Sequence, residues 1–353
     1  MAIKTRSPPR AGGITVPESL LATTFLATTA AGIARASFAD GEWTVTLPLS
    51  HVDVRCLAVD PTTPAISYAG TQGEGVFQSV DGGVTWDDLG LAGRVVKSLA
   101  VSPHDSATIY AGVKPAGMFK SVDGGLTWTE LTGFNSIPGK RLWFSPAELP
   151  LSPYVQAIAL SPTDPDLVVA GIEFGAVVRS TDGGETWSGH CEGAIRDCHT
   201  LTFHTTDGTR LYEGGAGLRG RGGATSQDGG ATWIAPTHGL DRSYGWAVAA
   251  DPEDPDTWYL SASTGAFAAH REGRARAYIY RWRGDGPWVR LGGGLPRPFA
   301  AMPYALCTLP GEPGLVVAGA ADGKVWFSAD YGDSWDSLPF SLGSIERSLV
   351  LAR

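Results

Sequence analysis

Arg55, Lys97, Gln156, His199, Trp246, Tyr304 and Arg347 hold the same place, the second, in seven apolar strands, and none is a plain aliphatic residue. Two chemistries separate among them. Arg347, Arg55 and Lys97 are cations able to hold an anionic group through charge-assisted hydrogen bonds, whereas His199, Trp246 and Tyr304 offer π-faces. Together they suit a small ligand with an anionic group and a flat or sugar-like body. The plainer alternative is that these strand starts are simply solvated, which carries no burial cost for polar groups. Carboxylates at the same strand ends, Asp53, Glu173, Asp197, Asp241 and Glu346, add candidate acids and bases. Asp197 directly precedes Cys198-His199, so Asp197 and His199 are the candidate catalytic pair. Tyr244, two residues before Trp246, joins the candidate ligand-binding set.

Other chemistries are set aside. Cys191 and Cys198 flank a loop with His190, His199 and His204 nearby, but the spacing matches no common zinc site. His199 and His204, five apart on one strand, point to opposite faces, so neither metal nor cofactor is expected. Cys56 and Cys307 read as small core residues. The stretch Gly214–Gly223, with Arg219 and Arg221, lacks the Lys-Ser/Thr ending of a phosphate loop, and Ser/His/Asp catalysis has no nucleophile elbow to support it. A net charge of −9 argues against nucleic-acid binding, which needs a basic face.

A repeated phrase must position these side chains. Ser79-Val-Asp81-Gly-Gly-Val-Thr85-Trp86 recurs at Ser121–Trp128, Ser180–Trp187, Ser226–Trp233 and, blurred, Ser328–Trp335. Asp-Gly-Gly between hydrophobic strands is a hairpin turn whose glycines accept positive φ. Asp81, Asp123, Asp182, Asp228 and Asp330 are therefore structural: each carboxylate accepts N–H groups of its own turn. One carboxylate per turn is too few oxygens for calcium. Shortened copies end at Trp43 and Trp288, and the seven Trp markers lie 43, 42, 59, 46, 55 and 47 residues apart.

The phrase Ser-x-Asp-x-Gly-x-Thr-Trp resembles the Asp-box, or bacterial neuraminidase repeat, over Leu20–Arg353. The resemblance implies a β-propeller of the superfamily that holds sialidases, xyloglucan-cleaving glycoside hydrolases, sortilin-type receptors and photosystem assembly factors. No Arg-Ile-Pro motif of the sialidase kind occurs here.

Seven units of about four strands predict an all-β, seven-bladed propeller. The unit is legible from Arg94 to Leu131: strands at Val95–Ser102, Thr108–Val113, Gly117–Ser121 and Trp128–Leu131. The chain begins on a second strand, Leu20–Thr28, and ends on a first strand, Ser344–Arg353. The last strand is thus expected to complete the first blade and hide both edges. Residues 1–19 are expected to be an N-terminal extension and 20–353 a single propeller domain. The insertions Thr132–Pro153, Gly189–Asp197, Gly214–Gly223 and Ala262–Tyr278 all fall on the face opposite the Asp turns, which makes that face the working surface.

The basic start, apolar Leu20–Ala34 and Ala34-Arg-Ala36 together resemble a secretory signal. Cleavage there would remove two strands of the first blade, so a cytoplasmic protein is expected, with secretion the alternative. The function expected is binding of a small anionic or saccharide-like ligand, or a peptide, at the central mouth. The alternatives are a glycoside hydrolase or lyase using a mouth carboxylate with His199, and a non-catalytic assembly scaffold acting through its variable-loop face. Neither a nucleic acid nor a membrane is an expected partner.

Overall fold

Short strands rich in β-branched residues, punctuated by Gly and Pro, give antiparallel sheets joined by tight turns. The computed structural model describes residues 3–5, 15–217 and 221–353. Its α-helices, Glu18–Leu21 and Ala266–Ala269, are single turns. Among the described residues no helix is long and apolar enough to cross a membrane.

The unit legible in the sequence forms as a four-stranded sheet of Val95–Val101, Ile109–Lys114, Gly117–Ser121 and Thr129–Glu130. Four-stranded sheets also run from Val54–Val59 and from Pro303–Thr308, and Val155–Leu160 begins a three-stranded one. The units beginning at Asp197–Phe203 and Tyr244–Ala250 share one seven-stranded sheet through the pair Ala216–Tyr244. Thr24–Thr29 pairs with Leu349–Ala352, placing Thr24 opposite Ala352 and Ala27 opposite Leu349. The two chain ends therefore share a sheet. The seven inner strands pack each on the next and the last on the first, a closed ring.

Two boundaries differ from the expected ones. The expected strand Leu20–Thr28 begins only at Thr24, because Pro17 fixes φ at −57° and starts a turn of helix that buries Leu20. Within the expected extension 1–19, Ile3–Thr5 adds a strand on the outer edge of the first sheet, against Trp43–Val45; residues 1, 2 and 6–14 lie outside the described residues, as does Arg219.

Apolar burial divides among the described residues into seven clusters, one between each pair of neighbouring units. Small third-position residues meet large fourth-position residues of the next unit, as Cys56 meets Leu99. The second positions stand apart from this packing. They do not share the face of the fourth positions, because the register slips at Val54/Cys56, Val155/Ala157, Cys198/Thr200, Gly245/Val248 and Pro303/Ala305. Such a bulge leaves the second residue unpaired and re-aims it. It also reverses parity, so that Val54 packs on the same side as Leu57.

Each repeated turn closes on its Asp. Asp123 accepts the Thr127 N–H at 2.8 Å, the Thr127 hydroxyl at 2.5 Å and the Ser121 hydroxyl at 2.8 Å. Gly125 sits at φ +94°, and a Cβ there would stand 2.2 Å from Leu89, so glycine is required. The Thr127 hydroxyl and N–H hold the Asp123 carboxyl down at about 2. Its folded value lies below the unfolded one, near 4, so its stabilisation is present above about pH 4 and is lost as pH falls through about 2. Asp123→Ala is therefore expected to melt below the parent at pH 7 and to converge with it at pH 2. A constant melting gap in calorimetry across that range would contradict this.

Candidate functional site

Loops joining the fourth strand of one unit to the first of the next, together with second-to-third-strand turns, enclose a cavity of about 1150 Å³ over the ring's centre. This is the face to which the insertions were assigned. Below it, a narrower channel of about 200 Å³ is lined by the second, third and fourth residues of all seven inner strands. Arg55, Lys97, Gln156, Trp246, Tyr304 and Arg347 line both spaces, while His199 lines only the channel. The bulges thus bring the expected set together.

The aromatic side is a continuous wall. His199 stacks on Trp246 with ring centres 4.5 Å apart, and Trp246 meets Tyr304 edge-on at 5.1 Å. Tyr244 joins at 4.8 Å from His199. His270, from the insertion Ala262–Tyr278, bridges the two phenols: Nε2 lies 2.7 Å from the Tyr244 hydroxyl and Nδ1 2.7 Å from the Tyr304 hydroxyl. A neutral imidazole donates to one and accepts from the other. The wall therefore presents apolar ring faces and a fixed row of polar atoms.

The cationic side is not free for an anion. Glu148, from the insertion Thr132–Pro153, bonds the Lys97 ammonium and lies 3.7 Å from Lys114 and 3.9 Å from Arg55. Asp53 bonds Arg55 at 2.8 Å and lies 3.9 Å from Arg347, which also meets Glu346 at 3.4 Å. Burial pushes Lys97 down to about 8, against the opposing pull of Glu148. Asp53 does not line the cavity; it balances charge at its rim. Asp241 lies elsewhere, in the coil before Tyr244 and held by Tyr280, Arg242 and Arg290, and does not line the cavity, so it is not a mouth carboxylate.

Glu173 lines the cavity, whereas Asp197 sits behind it, accepting the Phe174 N–H at 3.3 Å. Both are buried, at 6% exposure. His199 Nε2 lies 3.8 Å from Glu173 and 3.7 Å from Asp197. Burial raises both carboxyls above the usual range, and for Glu173 the Asp197 charge raises it further. Burial also lowers His199 to about 4, keeping it neutral. Of the expected catalytic pair, Asp197 does not face the cavity; Glu173 does.

The cysteines are free, and Cys191 and Cys198 are buried in one inter-unit cluster. His204 Nε2 is spent on the Asp251 carbonyl at 3.0 Å, and His190 Nδ1 accepts the Val177 N–H at 3.2 Å. Glu148, His270 and Glu213 were not singled out in the sequence. Glu213 had a signal. Second strands repeat Ala-Gly at Ala69-Gly70, Ala111-Gly112, Ala170-Gly171 and Ala318-Gly319, and Glu213-Gly214 breaks the pattern. Burial pushes this carboxyl up to about 8, and it accepts the Ile195 N–H at 2.9 Å. Leu149 and Phe267, next in the chain to the cavity-lining Glu148 and Ala266, stand 84 and 82% exposed.

No protein-family model matches the chain, and no curated protein matches it. Solved structures do. The GH74 xyloglucanase from Xanthomonas campestris is 18% identical at TM-score 0.60, covering 90% of this chain and 47% of that one. A GH74 enzyme from Niastella koreensis is 16% identical at TM-score 0.62, covering 81 and 45%. YCF48 bound to a D1 peptide is 16% identical at TM-score 0.55, covering 82% of each chain. This chain thus spans under half the length of those GH74 enzymes. At such identities the likeness establishes the fold: this is a β-propeller.

Proposed function

We propose that the mouth cavity binds a neutral, polyhydroxylated ligand of the saccharide class, held against the aromatic wall. The wall is the observation that carries this reading. Trp246 and Tyr304 are partly open to the cavity, and Tyr244, His270 and Tyr304 fix hydroxyl and imidazole atoms beside the ring faces. Ring faces that receive C–H surface next to fixed polar atoms are what a sugar needs. The expected anionic character is dropped, because Arg55, Lys97 and Arg347 already face carboxylates. The xyloglucanase of the same fold is, by its name, a protein acting on a saccharide, which agrees with this choice of ligand.

Binding ranks ahead of hydrolysis. The Glu173 and Asp197 oxygens facing His199 lie within 4.8 Å of each other on one wall. That is closer than the about 5–5.5 Å of a retaining pair and leaves no room for a bond between them. A peptide is the second reading, favoured by the exposed Leu149 and Phe267 beside the cavity-lining Glu148 and Ala266.

Titration calorimetry with neutral oligosaccharides tests the proposal. Trp246→Ala is expected to weaken binding about tenfold, equivalent to about 1.4 kcal/mol. Affinity is expected to hold as salt rises, since no exposed ion pair is made. Binding that falls steeply with salt would restore an anionic ligand, and saccharide binding unchanged in Trp246→Ala would remove the wall from the site. Turnover lost in Glu173→Gln with binding intact would place hydrolysis first.

A further inference from the structure

We infer that Glu173, Asp197 and His199 form a site for a divalent cation, of the Mn²⁺ or Zn²⁺ kind, in the wall of the mouth. One ligand atom from each lies within 4.8 Å of the other two. Metal–ligand bonds of about 2.0–2.6 Å allow one ion to reach all three from a common centre.

The histidine gives the independent sign. His199 has no exposed side-chain surface, and its Nδ1 lies 2.6 Å from the Gly245 carbonyl. That contact fixes the proton on Nδ1 and leaves the Nε2 lone pair free, the arrangement of a metal-bound imidazole whose other nitrogen is anchored to backbone. Nε2 is buried, has no hydrogen-bond partner, and points between the two carboxylates. An orphan acceptor facing two further acceptors is a costly arrangement without something positive between them. Once binding displaces their protons, two carboxylates and a neutral imidazole supply a charge of −2, which a divalent ion cancels.

The donor set also selects the ion. Imidazole with carboxylate suits Mn²⁺ and Zn²⁺, whereas Ca²⁺ takes six to eight oxygens, more than this pocket offers. Because Glu173 lines the cavity, water or a ligand there would reach the ion from the Glu173 side. Cys191, Cys198, His190 and His204, set aside as zinc ligands in the sequence, lie outside this group. The carboxylate partners of His199 come from the adjacent turn and from a residue across the bulge.

The test uses the full chain, stripped with EDTA and dialysed. Calorimetry with MnCl₂ or ZnCl₂ is expected to give one site per chain, with CaCl₂ at least tenfold weaker. Glu173→Gln and Asp197→Asn are expected to lose at least tenfold in affinity with an unchanged circular dichroism spectrum. Asp285→Asn, an exposed acid distant in sequence from the three, serves as the control and keeps parent affinity. Because His199→Ala opens a hole in the core, the histidine is tested by diffraction at the metal edge, where an anomalous peak is expected bonded to Nε2 and both carboxylates. No binding below millimolar metal, a peak elsewhere, or affinity unchanged in the two carboxylate variants overturns the site.

Discussion

Deletion of Ser344–Arg353 is expected to leave a chain without a cooperative melting transition, prone to aggregate. The segment supplies Leu349–Ala352, the inner partner of Thr24–Thr29, and buries Ile345, Leu349 and Ala352 at 0, 4 and 0% exposure. Each large aliphatic side chain truncated in a core costs about 2–5 kcal/mol. Two of them, plus a bare strand edge, approach the 5–15 kcal/mol that holds a typical domain together. The exposed edge then recruits other chains. A finer probe of the same closure is Thr28→Val. The buried Thr28 hydroxyl accepts the Ser348 N–H at 2.9 Å and the Arg347 N–H at 3.1 Å. Valine keeps the shape but strands both donors, at about 1–3 kcal/mol each. A soluble truncation with the parent's melting temperature, or a Thr28→Val variant of unchanged stability, would show that the ring does not depend on this seam.

What the sequence exposed was whatever repeats. Trp markers, Asp-Gly-Gly turns and seven aligned inner strands are periodic, so the second-position residues were identifiable by counting alone. Their direction was not, because the bulge that turns Arg55, Gln156, His199 and Tyr304 inward is a backbone event with no residue signature of its own. The partners were hidden for another reason. Glu148 and His270 sit in insertions that share no register with the repeat, and only the folded chain shows that they return to the mouth. This is why Lys97 read from spacing as part of an anion site: its counter-charge lies about fifty residues away on an aperiodic loop. Glu173 was legible as a mouth carboxylate, yet its pairing with Asp197 around His199 needs two adjacent units brought into contact.

Glu148→Gln is expected to produce the second large effect, a loss of about 3 kcal/mol with loosening of the loop across the mouth. Lys97 has a side chain only 4% exposed, and Glu148 bonds it directly while also facing Arg55 and Lys114. Removing one partner of a buried pair leaves an uncompensated charge, which costs about 3–5 kcal/mol. The Glu148 carboxylate is 27% exposed, which puts the loss at the lower end. The pH dependence gives a sharper signature. Lys97 already titrates at about 8 with Glu148 beside it, and losing that support lowers it further. Between that folded value and the unfolded lysine value near 10.4, the unfolded chain binds the extra proton, so stability rises with pH. The deficit of Glu148→Gln is therefore expected to shrink from pH 6 to pH 9. The double variant Lys97→Met with Glu148→Gln removes the stranded charge and is expected to recover much of the loss at pH 6. A deficit that is flat with pH, or that Lys97→Met does not relieve, would mean that Glu148 holds the loop by packing rather than by charge.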